Sequence, residues 1–194
     1  MFESLSLFSF LIIGFGLLIA GFNGWDQRVG AFVQRAAKRR HDVTMTAQFF
    51  SWTPFSVFML FLLPFFLWWK PGSKIEAIAL LSSCAIAVVA AFVVKFVFRR
   101  TRPGGLITHY GELDSSFPSA HTAGPFAAAI IIADVLPSVA FFALAFAAAV
   151  AASRVWLGLH FTSDLGGGLV LAYVSAWIVT QTELLAVAIS FFGI

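Results

Sequence analysis

Five stretches of this chain, residues 5–22, 49–69, 77–94, 135–153 and 165–182, run for 18 residues or more without a charged side chain. As a helix each would be about 27 Å long or longer, close to the roughly 30 Å of a bilayer's hydrocarbon core. No water is available there, so each backbone N–H must find its partner within its own segment. A weaker apolar run covers residues 122–133, bounded by His121 on one side and by Asp134 and Pro137 on the other. Only 11% of the 194 residues are charged and 60% are hydrophobic, whereas a soluble domain carries about 25% charged residues. The expectation is an all-α, polytopic membrane protein with six transmembrane helices, in a single domain over residues 1–194. Glu3 precedes the first run, with no basic stretch before it and no small-residue cleavage pattern, so the run reads as a retained helix and not a signal peptide. The single Cys84 excludes an intramolecular disulfide.

Two polar regions interrupt the apolar runs. From residue 25 to 42, Trp25, Val29, Phe32, Val33 and Ala36 recur at helical spacing with Arg28, Arg35, Lys38 and Arg39 between them. That pattern predicts an amphipathic helix on the membrane surface, its basic face toward phosphate headgroups. Residues 101–119 form an extended polar loop containing Pro103, Gly104 and Gly105. With six spans, the segments after the first, third and fifth helices all emerge on one side. The surface helix, the polar loop and residues 153–164 therefore share a face. The net charge of +3 on so little aqueous surface points to an anionic lipid headgroup, with no nucleic acid as partner.

Residues 153–164, Ser-Arg-Val-Trp-Leu-Gly-Leu-His-Phe-Thr-Ser-Asp, carry the densest chemistry. His160 and Asp164 are four apart, which on a helix puts them one turn from each other. A carboxylate on one imidazole nitrogen fixes the tautomer and leaves the other nitrogen as a nucleophile or base. Lys95 and Arg102 are seven apart, two helical turns, with Pro103 expected to end the helix. Pro118-Ser119-Ala120-His121 stands where the loop enters the fourth helix, whose free N–H groups suit an anion. Three cations, two histidines and a helix N-terminus on one face call for an anion, and phosphate fits guanidinium forks best. A metal site built from His121, His160 and Asp164 is the competing reading, but three nearby cations would repel a divalent ion.

In order, Lys95-(six residues)-Arg102-Pro103, Pro118-Ser119-Ala120-His121 and Ser153-Arg154-(five residues)-His160-(three residues)-Asp164 resemble the three-part signature of the type 2 phosphatidic acid phosphatase superfamily. The chain departs from that pattern at Ala120, where the family most often has glycine. The resemblance implies that His160 attacks phosphorus to form a phosphohistidine and that Asp164 orients it. It further implies that His121 protonates the leaving oxygen and then activates water. Lys95, Arg102, Ser119, the Ala120 amide and Arg154 would bind the phosphoryl oxygens. No metal and no cofactor are implied.

The expected function is hydrolysis of a membrane lipid phosphate or diphosphate. A polyprenyl diphosphate is the first choice, because a compact chain of this type resembles undecaprenyl diphosphate phosphatases. Phosphatidylglycerophosphate, phosphatidate and lipid A phosphate are alternatives. Two other classes share parts of the pattern. Vanadium haloperoxidases use a similar cradle but are soluble. A transporter with His160 and Asp164 as a proton relay would hold its charges near the midplane, whereas here they gather at one face. All 12 Lys and Arg except Lys70 and Lys74 fall on the site face, which by the positive-inside rule would be cytoplasmic. Bacterial relatives carry the site toward the periplasm. The resemblance is followed here: an inner-membrane protein whose site faces the periplasm or cell exterior.

Overall fold

The computed structural model describes residues 4–71, 73–104 and 115–181, and every regular element among them is an α-helix. In chain order these are α1 (Ser4–Phe22), α2 (Trp25–Ala37), α3 (His41–Ser51), α4 (Thr53–Trp69), α5 (Lys74–Phe98), α6 (Ala120–Val135), α7 (Pro137–Trp156) and α8 (Thr162–Gln181). The loop residues His109, Tyr110, Glu112 and Asp114, and the tail at 183–194, lie outside the described residues.

The helices sort their faces by side-chain size. On α5, Leu80, Cys84, Ala87 and Ala91 are buried, while Val89, Phe92, Val93 and Phe96 are more than half exposed. The buried set steps by four and three residues, so it forms one stripe. The exposed set is apolar as well, which suits lipid on one face and protein on the other. The stripe packs on α6, where Ser83 Oγ donates to Ala127 O at 3.4 Å and Cys84 Sγ to Gly124 O at 3.6 Å. Packed against α5, α7 and α8, α6 is buried over most of its length and forms the centre of the bundle.

Close approach on α8 depends on Gly166, Gly167 and Gly168, as the run of three glycines predicts. A Cβ at Gly166 would stand 2.6 Å from Gly14 O of α1, and one at Gly168 would stand 2.8 Å from Ser119 O. Lipid gives helices no hydrophobic incentive to associate, so contacts this close are where the packing energy lies.

Three helices, α5, α7 and α8, are individually long and apolar enough to cross a membrane. Counting α1 with α2, and α3 with α4, as bent pairs raises the number to five. The remaining apolar run, α6, has 16 residues, about 24 Å of helix, short of a full bilayer. The chain is a multi-pass membrane protein with three to five candidate spans.

Three expectations need correction. The run at 49–69 is not one helix: Trp52 is extended, and the axes on either side of it differ by 50°. Pro54 follows in the first turn of α4, a position where its missing N–H costs no intrahelical bond, so the sequence there suits a new helix start. The surface helix ends at Ala37 instead of 42, and a separate helix, α3, starts at His41. Where α2 leaves α1 the chain turns by 92°, through Gly24 at φ 75°, a conformation glycine adopts without cost. Finally, α5 stops at Phe98 with Arg99 left-handed at φ 40°, well before Pro103.

Candidate active site

Two of the expected phosphate-binding cations continue buried helical stripes. The α5 stripe at Ala87 and Ala91 leads one turn further to Lys95, which is buried and donates from Nζ to Ser115 O. The α7 stripe at Ala147, Val150 and Ala151 leads in the same way to Arg154, only 1% exposed. Arg154 donates to Ser51 O at 3.1 Å and to Ser51 Oγ at the end of α3. Arg102 arrives by another route. It is not on α5 two turns beyond Lys95 but on the non-helical stretch after it, where it donates to Leu159 O at 2.7 Å. Hydrogen bonds tie this stretch to the start of the next motif, with Ser116 N donating to Arg100 O at 2.8 Å and Arg100 N to Ser115 Oγ at 2.9 Å.

His160 also lies off the helices. After α7, Gly158 at φ 70° turns the chain. The N–H groups of Leu159 and His160 then bond back to Arg154 O at 2.9 and 3.3 Å. Asp164 sits in the first turn of α8, and its Oδ2 accepts from the N–H of Phe161, just ahead of the helix, at 2.8 Å. An acidic side chain three residues into a helix, reaching back to the residue that caps it, is half of a capping box. The pair therefore spans a loop and a cap instead of one helical face. His160 Nδ1 stands 3.5 Å from Asp164 Oδ2, and both residues are almost fully buried. That is ionic reach and longer than a formed hydrogen bond, as is common for catalytic pairs without substrate. The other ring nitrogen, Nε2, stands 3.5 Å from Arg102 NH1. Burial pushes His160 down to about 4; Asp164 works against that shift, and Arg154 and Arg102 add to it. The ring is thus neutral at pH 7, with its basic nitrogen facing a cation.

Ser119 caps α6. It is fully buried, its N–H donates to Asp164 O at 3.0 Å, its carbonyl accepts from the N–H groups of Thr122 and Ala123, and its Oγ accepts from Thr122 Oγ1 at 3.0 Å. In a helix capped this way the N–H groups of Ala120 and His121 lead the positive end of the dipole. His121 is half-buried, and its Nε2 lies 3.1 Å from Thr53 Oγ1. The fold thus brings all three expected motifs to the ends of α5, α6, α7 and α8. Among the described residues no group of three or more His, Cys, Asp or Glu is placed to hold a metal ion.

Sequence reading missed several neighbours. Asp164 Oδ1 accepts from Arg100 at 2.7 Å, and Arg100 also pairs with Asp26 of α2 at 2.8 Å. Ser51 and Thr53 flank the helix break at Trp52 and touch Arg154 and His121. The one local signal was a cluster of Ser, Trp, Thr and Pro inside an apolar run. Trp156 donates from Nε1 to Thr44 Oγ1 at 3.1 Å and packs on Ala47, Leu157 and Leu159, docking α3 onto the end of α7.

The multi-pass helical bundle holds a carboxylate-paired histidine among guanidinium groups at one set of helix ends, a donor set that suits an anion. The chain belongs to the PAP2 superfamily, a phosphatase superfamily whose model matches residues 76–186, more than half of the sequence. Its fold is similar to that of a solved transmembrane PAP2-type phosphatidylglycerolphosphate phosphatase from Bacillus subtilis. The TM-score is 0.65 at 20% identity, covering 93% of this chain and 96% of that one. No curated protein sequence matches the chain.

Proposed function

We propose that this chain is a membrane lipid phosphatase that cleaves a lipid phosphate or diphosphate through a phosphohistidine on His160. The observation that carries the reading is the environment of the His160 ring, with Asp164 at Nδ1 and the Arg102 guanidinium at Nε2, each 3.5 Å away. A guanidinium beside the lone pair of a neutral imidazole is where a phosphoryl oxygen would be held as the nitrogen attacks. Phosphoryl transfer needs mainly such positioning and charge stabilisation.

In the proposed reaction Nε2 of His160 forms a bond to phosphorus while the bond to the lipid oxygen breaks. That oxygen takes a proton from His121. His121 then accepts a proton from water, the water oxygen bonds to phosphorus, and the P–N bond breaks to release phosphate and restore the ring. Asp164 offsets the positive charge that the phosphorylated imidazole carries. Lys95, Arg102, Arg154, the Ser119 hydroxyl and the Ala120 N–H hold the phosphoryl oxygens. These steps use only side chains and backbone of this chain. We extend the reading to six spans, with α6 as a short central one, and to an inner-membrane site facing the periplasm or exterior.

A polyprenyl diphosphate is the substrate we put first; the similarity to a phosphatidylglycerolphosphate phosphatase puts that lipid beside it as a second reading. The test is phosphate release from both lipids in detergent, with and without chelator. Hydrolysis of at least one, unchanged by chelator, is expected. No release from either, or loss of release with chelator, contradicts the proposal.

A further inference from the structure

We infer that Asp26 and Arg100 are positioning residues for Asp164, tying the surface helix α2 to the catalytic pair. The inference rests on the phosphatase reading above and adds two residues that none of the three motifs assigns a role. Arg100 spreads its guanidinium between two buried carboxylates. Its NH1 donates to Asp164 Oδ1 and to Ser163 Oγ, both at 2.7 Å, and its NH2 donates to Asp26 Oδ2 at 2.8 Å. The guanidinium carbon also lies 4.3 Å from the centre of the Phe161 ring, beside the nucleophile. A planar fork with several donors can bridge such a set, and an ammonium cannot.

Asp26 is held as firmly as the residue it supports. It is 1% exposed although α2 lies at the edge of the bundle. Its Oδ1 accepts from Thr162 Oγ1 at 2.7 Å and from the Ser163 N–H at 3.0 Å, and its Oδ2 also accepts from Ser163 Oγ. A side chain of α2 thus satisfies a first-turn N–H of α8, the turn that carries Asp164. Gly21 closes this corner, since a Cβ there would stand 2.6 Å from Ser163 Cβ and 2.9 Å from Asp26 Oδ2.

The arrangement has an electrostatic consequence. Asp26, Arg100 and Asp164 together carry one negative charge, which matches the positive charge on His160 once it is phosphorylated. Without Asp26, Arg100 would neutralise Asp164 instead, and the imidazolium would lose its counter-charge in a buried site. The Asp26 and Arg100 side chains bond to Thr162, Ser163, Asp164 and each other, so the loss belongs in kcat and not in KM.

A staple that merely holds α2 in place would explain the same contacts, so the test must separate the two roles. Asp26→Asn keeps the shape and removes the charge. With an activated aryl phosphate, it is expected to lower kcat about 10- to 100-fold, the scale of a misplaced catalytic group, with KM within about threefold. In an Asp164→Asn background the same change is expected to cost less than about threefold, because the group it acts through is gone. Equal losses in both backgrounds, or a change confined to KM, would overturn the inference while leaving the phosphatase reading in place. If the wild type releases no phosphate from lipid or aryl phosphates, it is the underlying reading that fails. Should Asp26→Asn not accumulate in membranes, Arg100→Gln takes its place in the same cycle with the same expectations. The exposed neighbour variant Arg99→Gln is the control and should stay within about twofold of wild type; a loss equal to that of Arg100→Gln would contradict the assignment.

Discussion

The segment from Glu76 onward and the four helices before it contribute to one site in different ways. The first, matched by the superfamily model over residues 76–186, supplies every group expected to touch phosphate. The second, α1 to α4, supplies none of these, yet two of its polar side chains reach them and a third reaches Arg100, the partner of Asp164. Asp26 reaches Arg100, Ser51 reaches Arg154, and Thr53 reaches His121. The chemistry is concentrated in one region, and the orientation of that chemistry is shared with the other. The first region is written in short motifs, because its residues sit at adjoining helix ends. The second depends on contacts between residues far apart in the chain, which no local pattern records.

If this division holds, removing a group expected to act on phosphate or the leaving oxygen should cost far more, on a substrate that needs it, than removing a single hydrogen bond supplied by α1 to α4. His121→Ala is expected to lower turnover on an alkyl phosphate by about 10²- to 10³-fold, because a poor leaving group needs its proton. On an aryl phosphate the loss should shrink to about tenfold or less; equal losses on both substrates would remove His121 from the acid role. Thr53→Val removes a single hydrogen bond to that histidine from outside the matched region. It should cost only about 2- to 10-fold on the alkyl phosphate, the value of one neutral hydrogen bond, and less on the aryl phosphate. A Thr53→Val loss as large as that of His121→Ala would erase the distinction between the two regions.

Much of the architecture was legible in the residues because apolar runs and charges obey simple spacing rules. The end of the first apolar run at Phe22, the basic helix after it and the close packing at Gly166 to Gly168 could all be anticipated. The break at Trp52 could not be weighed correctly, since an uncharged run reads as continuous even where one residue of it is extended. The geometry of the site was less legible than its composition. His160 and Asp164 suggested a helical pair by their spacing, but the turn at Gly158 and the cap at Phe161 place them in a loop and a first turn. Lys95 and Arg102 suggested two turns of one helix, yet Arg99 ends α5 between them. In both cases the groups meet, by a different path. Asp26 and Arg100 are 74 residues apart, and no local pattern joins them. Only the folded chain shows that they face each other across the start of α8.

The central claim is that His160 carries the phosphoryl group during turnover. The most direct measurement is to mix the detergent-solubilised protein with a lipid phosphate labelled on its phosphorus, quench within one turnover, and map the modified residue. A label on His160 that is lost in acid and retained in base, and absent from His160→Ala, is the predicted result. Turnover with no label on His160 in either the wild type or His121→Ala, or a His160→Ala variant of near-normal activity, would contradict the account.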